Sequence, residues 1–282
     1  MADYERHHAR CGGRFGLIRV SGLAVYPVKS CRGVDLDEAV VGATGFDLDR
    51  QWMVVDADGR FLSQRQAPEL AQIEVAVAGE GLTLSAPALP ALTIPLRTPH
   101  GRERTVEVWQ DRCAAVDEGD AAARWLEQHL GRRAMLVRMA GVGSRPLAGA
   151  PVAPGIAVSF ADAFPFLLVS EGSLEELNRR LESPVPMNRF RPNIVVEGCA
   201  PHAEDEWRRV GIGEVVFRVA KPCARCVITT TDQRTGERGP EPLRTLASYR
   251  TVGGKVLFGQ NLVHEGRGVV RVGDRVRVVP GS

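Results

Sequence analysis

The sequence predicts a mainly β protein of the α+β class, and three observations lead there. Short apolar runs recur between turn residues from Leu17 to about Val116, the same pattern returns after Pro186, and only two segments carry helical periodicity with recognisable ends.

In chain order, the clearest early element is a hairpin over Gln51 to Gln64. Its first arm is Trp52-Met-Val-Val55, its turn Asp56-Ala-Asp-Gly59 and its second arm Arg60-Phe-Leu-Ser63. Further strands are expected at Ile73 to Ala78, Leu82 to Ser85, Leu92 to Leu96, Thr105 to Trp109 and Cys113 to Val116. A helix is expected from Asp120 as N-cap, with Ala122, Trp125, Leu126 and Leu130 on one face and Gly131 as the stop. A second helix is expected from the capping box Ser173-Leu-Glu-Glu176, with the stripe Leu174, Leu177 and Leu181, ending before Pro184. Late strands follow at Asn193 to Val196, Val215 to Val219, Val227 to Thr231, Val269 to Val272 and Val276 to Val279, and turns such as Arg271-Val-Gly-Asp274 point to a closed or nearly closed barrel.

The Gly-, Pro- and Ala-rich stretch from Gly141 to Pro154 reads as an interdomain loop. The expected organisation is a disordered polar tail over 1–14, an N-terminal β domain over 15–140 and a C-terminal barrel domain over 141–282. A formal net charge of +2 excludes a broad basic field for nucleic acid. No apolar run is long enough for a membrane helix and the polar start lacks a signal core, so a soluble cytoplasmic protein is expected.

Six cysteines are thinly scattered apart from Cys223 and Cys226, which argues against a secreted disulfide framework. That pair lies in Lys221-Pro-Cys-Ala-Arg-Cys226, an expected rim loop between two strands. Its thiols neighbour Lys221 and Arg225, the cationic setting that metal-ligating and nucleophilic cysteines use. A bland reading is half of a zinc site, but no second CxxC and no closely spaced His pair beyond the tail completes a tetrahedron. A dithiol redox pair is a further alternative, although thioredoxin-like motifs open a helix whereas this one is expected to enter a strand. His129 and His264 fall in no ligand pattern, and no glycine-rich nucleotide motif opens a helix.

Lys221-Pro-Cys-Ala-Arg-Cys-Val-Ile-Thr-Thr230, with Asp232, Thr235-Gly236, Glu241-Pro-Leu-Arg-Thr-Leu-Ala-Ser-Tyr-Arg250 and Phe258-Gly-Gln260, closely resembles the MOSC domain of the mitochondrial amidoxime reducing component family and its bacterial relatives. Asn188-Arg-Phe-Arg-Pro-Asn-Ile-Val195, Trp207 and Ile212-Gly213 extend the likeness. Tyr26-Pro-Val-Lys-Ser-Cys-Arg-Gly-Val34 and Asp49-Arg50 resemble that family's N-terminal β-barrel region. The resemblance covers about Leu17 to Val279. It implies a MOSC β-barrel preceded by an N-terminal β domain, whose first strand joins the C-terminal barrel so that Lys29 and Cys226 approach one ligand.

The resemblance implies a molybdenum cofactor, Mo-molybdopterin, held through Cys226 as protein ligand to the metal, a soft thiolate suited to that role. It assigns phosphate or pterin contacts to Lys29, Ser30, Arg50, Arg191 and Asn193, with Ala224 and Arg225 contributing from the cysteine loop. Only three of the 36 basic residues are lysines, so Lys29 within the motif hints that an ammonium is wanted there. Asp162 aligns with a family aspartate beside the metal pocket, where it relays protons or caps a turn. Ala163 and Phe164 stand where the family often shows hydroxyls, which makes the pocket drier and leaves the substrate open.

The implied activity is reduction of N-hydroxylated small molecules such as hydroxylamines, amidoximes and N-hydroxylated bases, with electrons from an external ferredoxin, flavodoxin or reductase-type protein. Two alternatives stay open: a non-catalytic carrier of the cofactor or its sulfur, and a dithiol oxidoreductase using Cys223 and Cys226.

Overall fold

The computed structural model describes residues 17–97, 101–141, 145, 147 and 157–279. The expected tail over 1–14 and most of the expected linker over 141–154 lie outside the described residues.

The N-terminal half supplies β1 (Arg19–Val25), β2 (Val34–Leu36), β3 (Glu38–Val41), β4 (Trp52–Val55), β5 (Glu74–Ala78), β6 (Gly81–Ser85), β7 (Leu92–Pro95), β8 (Glu103–Val108), β9 (Asp111–Asp117), helix α1 (Asp120–Leu130) and β10 (Met135–Met139). The C-terminal half supplies β11 (Phe166–Ser170), α2 (Glu171–Asn178), β12 (Ile194–Glu197), β13 (Arg209–Ile212), β14 (Val215–Ala224), α3 (Leu243–Tyr249), β15 (Thr251–Val252), β16 (Lys255–His264), β17 (Gly268–Arg271) and β18 (Val276–Val279). The mainly β class expected from the sequence is the class observed.

The largest sheet runs β18-β13-β14-β16-β11-β12-β1-β2. Its ladders are antiparallel except between β11 and β12. Val276 N donates to Ile18 O at 2.8 Å and Val20 N to Asp274 O at 2.9 Å, so β18 meets the start of β1 and the staves from β18 to β1 close into a barrel. One stave, β1, comes from the far N-terminal side of the sequence. Because side chains alternate along a strand, Phe166 and Leu168 of β11 enter the barrel core while Leu167 and Val169 face outward against α2 and α3. Inside, Phe166 meets Phe46 and Phe217 edge-on, with centroids 4.9 and 5.1 Å apart, the offset that ring quadrupoles favour.

The remainder of the N-terminal half stacks a four-stranded sheet, β4-β10-β9-β8, beside the three-stranded meander β5-β6-β7. Trp52 and Val54 of β4 join α1 and the meander in one core, and Met53 and Val55 join Val106, Val137 and Phe160 in another. Successive β4 residues are therefore all buried, with both faces covered.

Four local expectations need correction. Helix α1 is capped by Gly119 rather than Asp120, because the Asp117 carboxylate accepts the Gly119 N–H at 2.8 Å and turns the chain one residue early. Helix α2 begins three residues before the expected box. Ser170 Oγ accepts from Ser173 N at 3.1 Å, and the buried Glu204 carboxylate takes the hydroxyl protons of Ser170 and Ser173 at 2.9 and 2.8 Å. That long-range partner decides the start, and Leu181 falls beyond the last turn. The second hairpin arm after Gly59 is no regular strand; it holds isolated bridges at Arg60 and Phe61. Finally, Val227–Thr230 is a 3-10 turn rather than a strand. Thr229 and Thr230 hydroxyls bond back to the carbonyls of Cys226 and Val227 at 3.0 and 2.8 Å, an alternative to ladder pairing.

Candidate active-site cleft

Between the rim of the barrel and the four-stranded sheet lies a cleft of about 300 Å³. All nine residues singled out from the sequence line it: Lys29, Ser30, Arg50, Asp162, Arg191, Asn193, Ala224, Arg225 and Cys226. They come from five separated segments, so only the closed fold assembles them.

The backbone is bent to put them there. Lys29 N donates to Trp52 O at 2.8 Å and Arg50 N to Tyr26 O at 2.9 Å, which ties the segment after β1 to the one before β4. Ser30, Arg50 and Arg191 all adopt left-handed backbone, with φ of 71°, 50° and 56°. For residues with a Cβ this conformation costs about 1 kcal/mol each, and such strain concentrates at ligand sites.

The cationic end is built around Tyr26. Arg50 and Arg191 place their guanidinium carbons 4.3 and 4.2 Å from its ring centroid. Asp49 pairs with Arg50 and accepts Tyr26 N at 2.8 Å, and Arg191 Nη1 donates to Cys31 O at 2.7 Å. Burial pushes the Tyr26 phenol up to about 12, so it stays neutral, and its hydroxyl donates to Pro192 O at 3.0 Å. Burial also brings Arg191 down to about 10, still cationic at neutral pH. The buried Asn193 amide oxygen accepts from Arg50 Nη1 at 3.0 Å and from Leu167 N at 3.2 Å.

Lys29 is buried, and its ammonium bonds Phe160 O at 2.8 Å and the Asp162 carboxylate. Burial lowers its proton affinity while Asp162 raises it, and the net position is below the ordinary lysine range. For Asp162, partial burial pulls upward, but Lys29, Arg65 and the Trp109 indole N–H outweigh it and hold the carboxyl far below its usual range. Asp162 is thus a fixed anion at neutral pH, a poor proton donor there.

At the thiol end, Arg65 Nη2 lies 3.1 Å from Cys226 Sγ, and Arg225 Nη1 lies 3.0 Å from Cys223 Sγ. Each sulfur therefore has its own guanidinium. Arg225 also donates to Phe190 O at 2.7 Å. Two buried guanidinium nitrogens here, Arg65 Nη1 and Arg225 Nε, lack a protein partner among the described residues. Sequence reasoning missed Arg65; within Ser63-Gln-Arg65 it carries no local signal that separates it from other arginines.

Chemically, the cleft offers six cations, Lys29, Arg50, Arg65, Arg191, Lys221 and Arg225, against the single open carboxylate of Asp162. It also offers a sulfur at one end and a buried amide at the other. Such a donor set suits an extended anion with a phosphate-like terminus and a soft, thiophilic metal. Among the described residues there is no group of three or more His, Cys, Asp or Glu side chains placed to hold a metal unaided. Among them, too, no helix is long and apolar enough to cross a membrane.

Two family descriptions match the chain: the MOSC N-terminal beta barrel domain over residues 17–133 and the MOSC domain over residues 156–277. The chain is 37% identical to mitochondrial amidoxime-reducing component 1 of Homo sapiens, covering 91% of this chain and 82% of that protein. It is 34% identical to mitochondrial amidoxime reducing component 2 of Homo sapiens, over 91% of this chain and 82% of that one. It is also 33% identical to the molybdenum cofactor sulfurase of Arabidopsis thaliana, over 87% of this chain but 33% of that much longer protein.

Proposed function

Because the chain belongs to the MOSC-domain family that includes the amidoxime-reducing components, we propose that it is a molybdenum-cofactor-dependent reductase of N-hydroxylated small molecules. The observation that carries the reading is convergence: the Cys226 thiol shares one cleft with Lys29, Arg50 and Arg191, none of which is near it in the sequence. Hydroxylamines, amidoximes and N-hydroxylated bases are the substrate class, and electrons come from an external ferredoxin, flavodoxin or reductase-type protein.

The residues fit the cofactor. Arg50, Arg191 and Ser30 would hold its phosphate and pterin end, with Asn193 as hydrogen-bonding partner and Lys29 adding an ammonium donor beyond those engaged by Phe160 and Asp162. Ala224 and Arg225 would flank it from the end of β14, and Cys226 would ligate the metal. When bound, the molybdenum centre supplies the two-electron chemistry that side chains lack. Asp162, ionised and anchored to Lys29, orients substrate N–H or O–H groups, and Lys29 Nζ holds the proton nearest to it. Ala163 and Phe164 keep the neighbouring wall apolar and limit water.

Metal and pterin analysis of freshly isolated protein tests the cofactor, with close to one molybdenum per chain expected. Given a reductant and an N-hydroxy compound, the loaded protein consumes the compound. Likeness to part of the sulfurase favours one competing reading, a carrier of cofactor or sulfur, and a carrier would bind molybdenum yet consume none.

A further inference from the structure

Beside the cleft, and sharing Arg65, Asp162 and Ala224 with it, a second open hollow is walled by Phe61 and Trp109 from the N-terminal half and by Arg145, which follows β10. Trp109 forms the turn between β8 and β9. Its φ is 58°, a left-handed conformation that Gly or Asn accepts readily and that is a genuine outlier for a bulky side chain. It is also 48% exposed, although it is among the largest apolar side chains in the protein. Turn geometry therefore explains neither its identity nor its exposure.

Its contacts do aim it at the site. The Phe61 ring lies 4.9 Å away, tilted by 55°, and the Arg65 guanidinium carbon sits 4.8 Å from the indole centroid. The indole N–H donates to Asp162 at 3.3 Å. The same Arg65 reaches Cys226 Sγ at 3.1 Å, so a continuous line of contacts runs from Phe61 through Trp109 and Arg65 to the thiol. The ring is pinned at its polar edge and along one side, while about half of its surface remains open.

Resting on the reductase reading above, we propose that Trp109 is the specificity-determining wall of the substrate subsite. It offers an aromatic platform, flanked by the Asp162 carboxylate, that selects N-hydroxy compounds carrying a planar ring over those carrying none. A ring stacked on the indole directs its N–O group toward Cys226, and the carboxylate accepts hydrogen bonds from an adjoining amino group.

The test compares benzamidoxime with unsubstituted hydroxylamine on molybdenum-loaded protein with an artificial reductant. In Trp109→Leu the ratio of kcat/KM for benzamidoxime to that for hydroxylamine falls about tenfold, mainly through KM, and Trp109→Phe restores most of it. An unchanged ratio, whether or not both rates fall, overturns the proposal. If loaded wild-type protein reduces neither compound, the reductase reading fails on its own, and the subsite is judged by binding. Benzamidoxime then quenches tryptophan fluorescence saturably in the wild type and not in Trp109→Leu. Equal quenching in both, or none in the wild type, rejects the subsite.

Discussion

The Arg65 guanidinium donates to the Cys226 sulfur at 3.1 Å across 161 residues of sequence. A side chain following the β4 hairpin of one half thus fixes the thiol at the barrel rim of the other, while its flat face rests on Trp109. Partners that orient a metal ligand without touching the metal typically contribute 10- to 100-fold to affinity or activity. Arg65→Leu is therefore expected to lower molybdenum retained through gel filtration, and kcat/KM with it, by about 10-fold or more. Arg65→Lys keeps the charge but not the planar fork, and falls between. Retention equal to wild type in both variants would remove Arg65 from the site.

The two cysteines are not equivalent. Cys226 opens the 3-10 turn and meets Arg65, whereas Cys223 lies within β14 and meets Arg225. Cys226→Ser is expected to abolish both molybdenum retention and reductase activity, because a neutral hydroxyl is a poor ligand for a soft metal. Cys223→Ser is expected to keep most of both. Loss of activity in Cys223→Ser with molybdenum retained would instead favour the dithiol reading.

His202 ties stability to pH. Burial, assisted by Arg250, holds its pKa down at about 4, with Asp205 and Glu176 pulling the other way and Arg180 adding to the depression. The fold thus favours the neutral ring, while the unfolded chain takes up a proton first, near pH 6.5. The stability this contributes is complete above about 6.5 and is lost as pH falls toward about 4, on the order of 2 kcal/mol for a partly exposed ring. His202→Asn removes the titration and tolerates the φ of 61° at this position. Urea midpoints at pH 7 and pH 4.5 should fall further for wild type than for the variant; parallel falls would reject the assignment.

Part of the barrel was legible: the staves β12, β14 and β18 were expected, and Val215 and Phe217 alternate inward as a half-buried strand requires. The staves β11, β13 and β16 were not, because Phe166–Ser170 is buried throughout, Arg209–Ile212 is four residues long and contains Gly211, and Lys255–His264 is interrupted by Gly259 in left-handed backbone, so none shows plain alternation. The starts of both longer helices were misplaced for different reasons: Asp117 lies just upstream and takes the Gly119 N–H, whereas Glu204 reaches the Ser170 cap from 34 positions along the chain, where no local motif records it. At the site, the residues that the resemblance implied came together as a group, and three of them, Ser30, Arg50 and Arg191, sit at left-handed backbone angles. Arg65 and Trp109 escaped notice because their significance is purely tertiary: one meets a sulfur far along the chain, the other an aspartate 53 positions away.

Backbone strain at Arg191 separates ligand binding from folding. Its φ of 56° suits glycine, whereas its side chain carries the Cys31 O hydrogen bond and the Tyr26 contact. Removing the guanidinium by Arg191→Ala loses those contacts and retains the strain; Arg191→Gly loses the same contacts and relieves it. The glycine variant is accordingly expected to be more stable than the alanine variant by about 1 kcal/mol, despite the greater flexibility glycine brings to the unfolded chain. Both should lose cofactor to the same degree, because anion binding depends on the missing charge and not on the backbone. Chemical denaturation of the two variants, paired with pterin content after purification, reads the two effects separately. A glycine variant no more stable than alanine would show that the left-handed turn is relaxed, and pterin retained in both would take Arg191 out of the cofactor cradle.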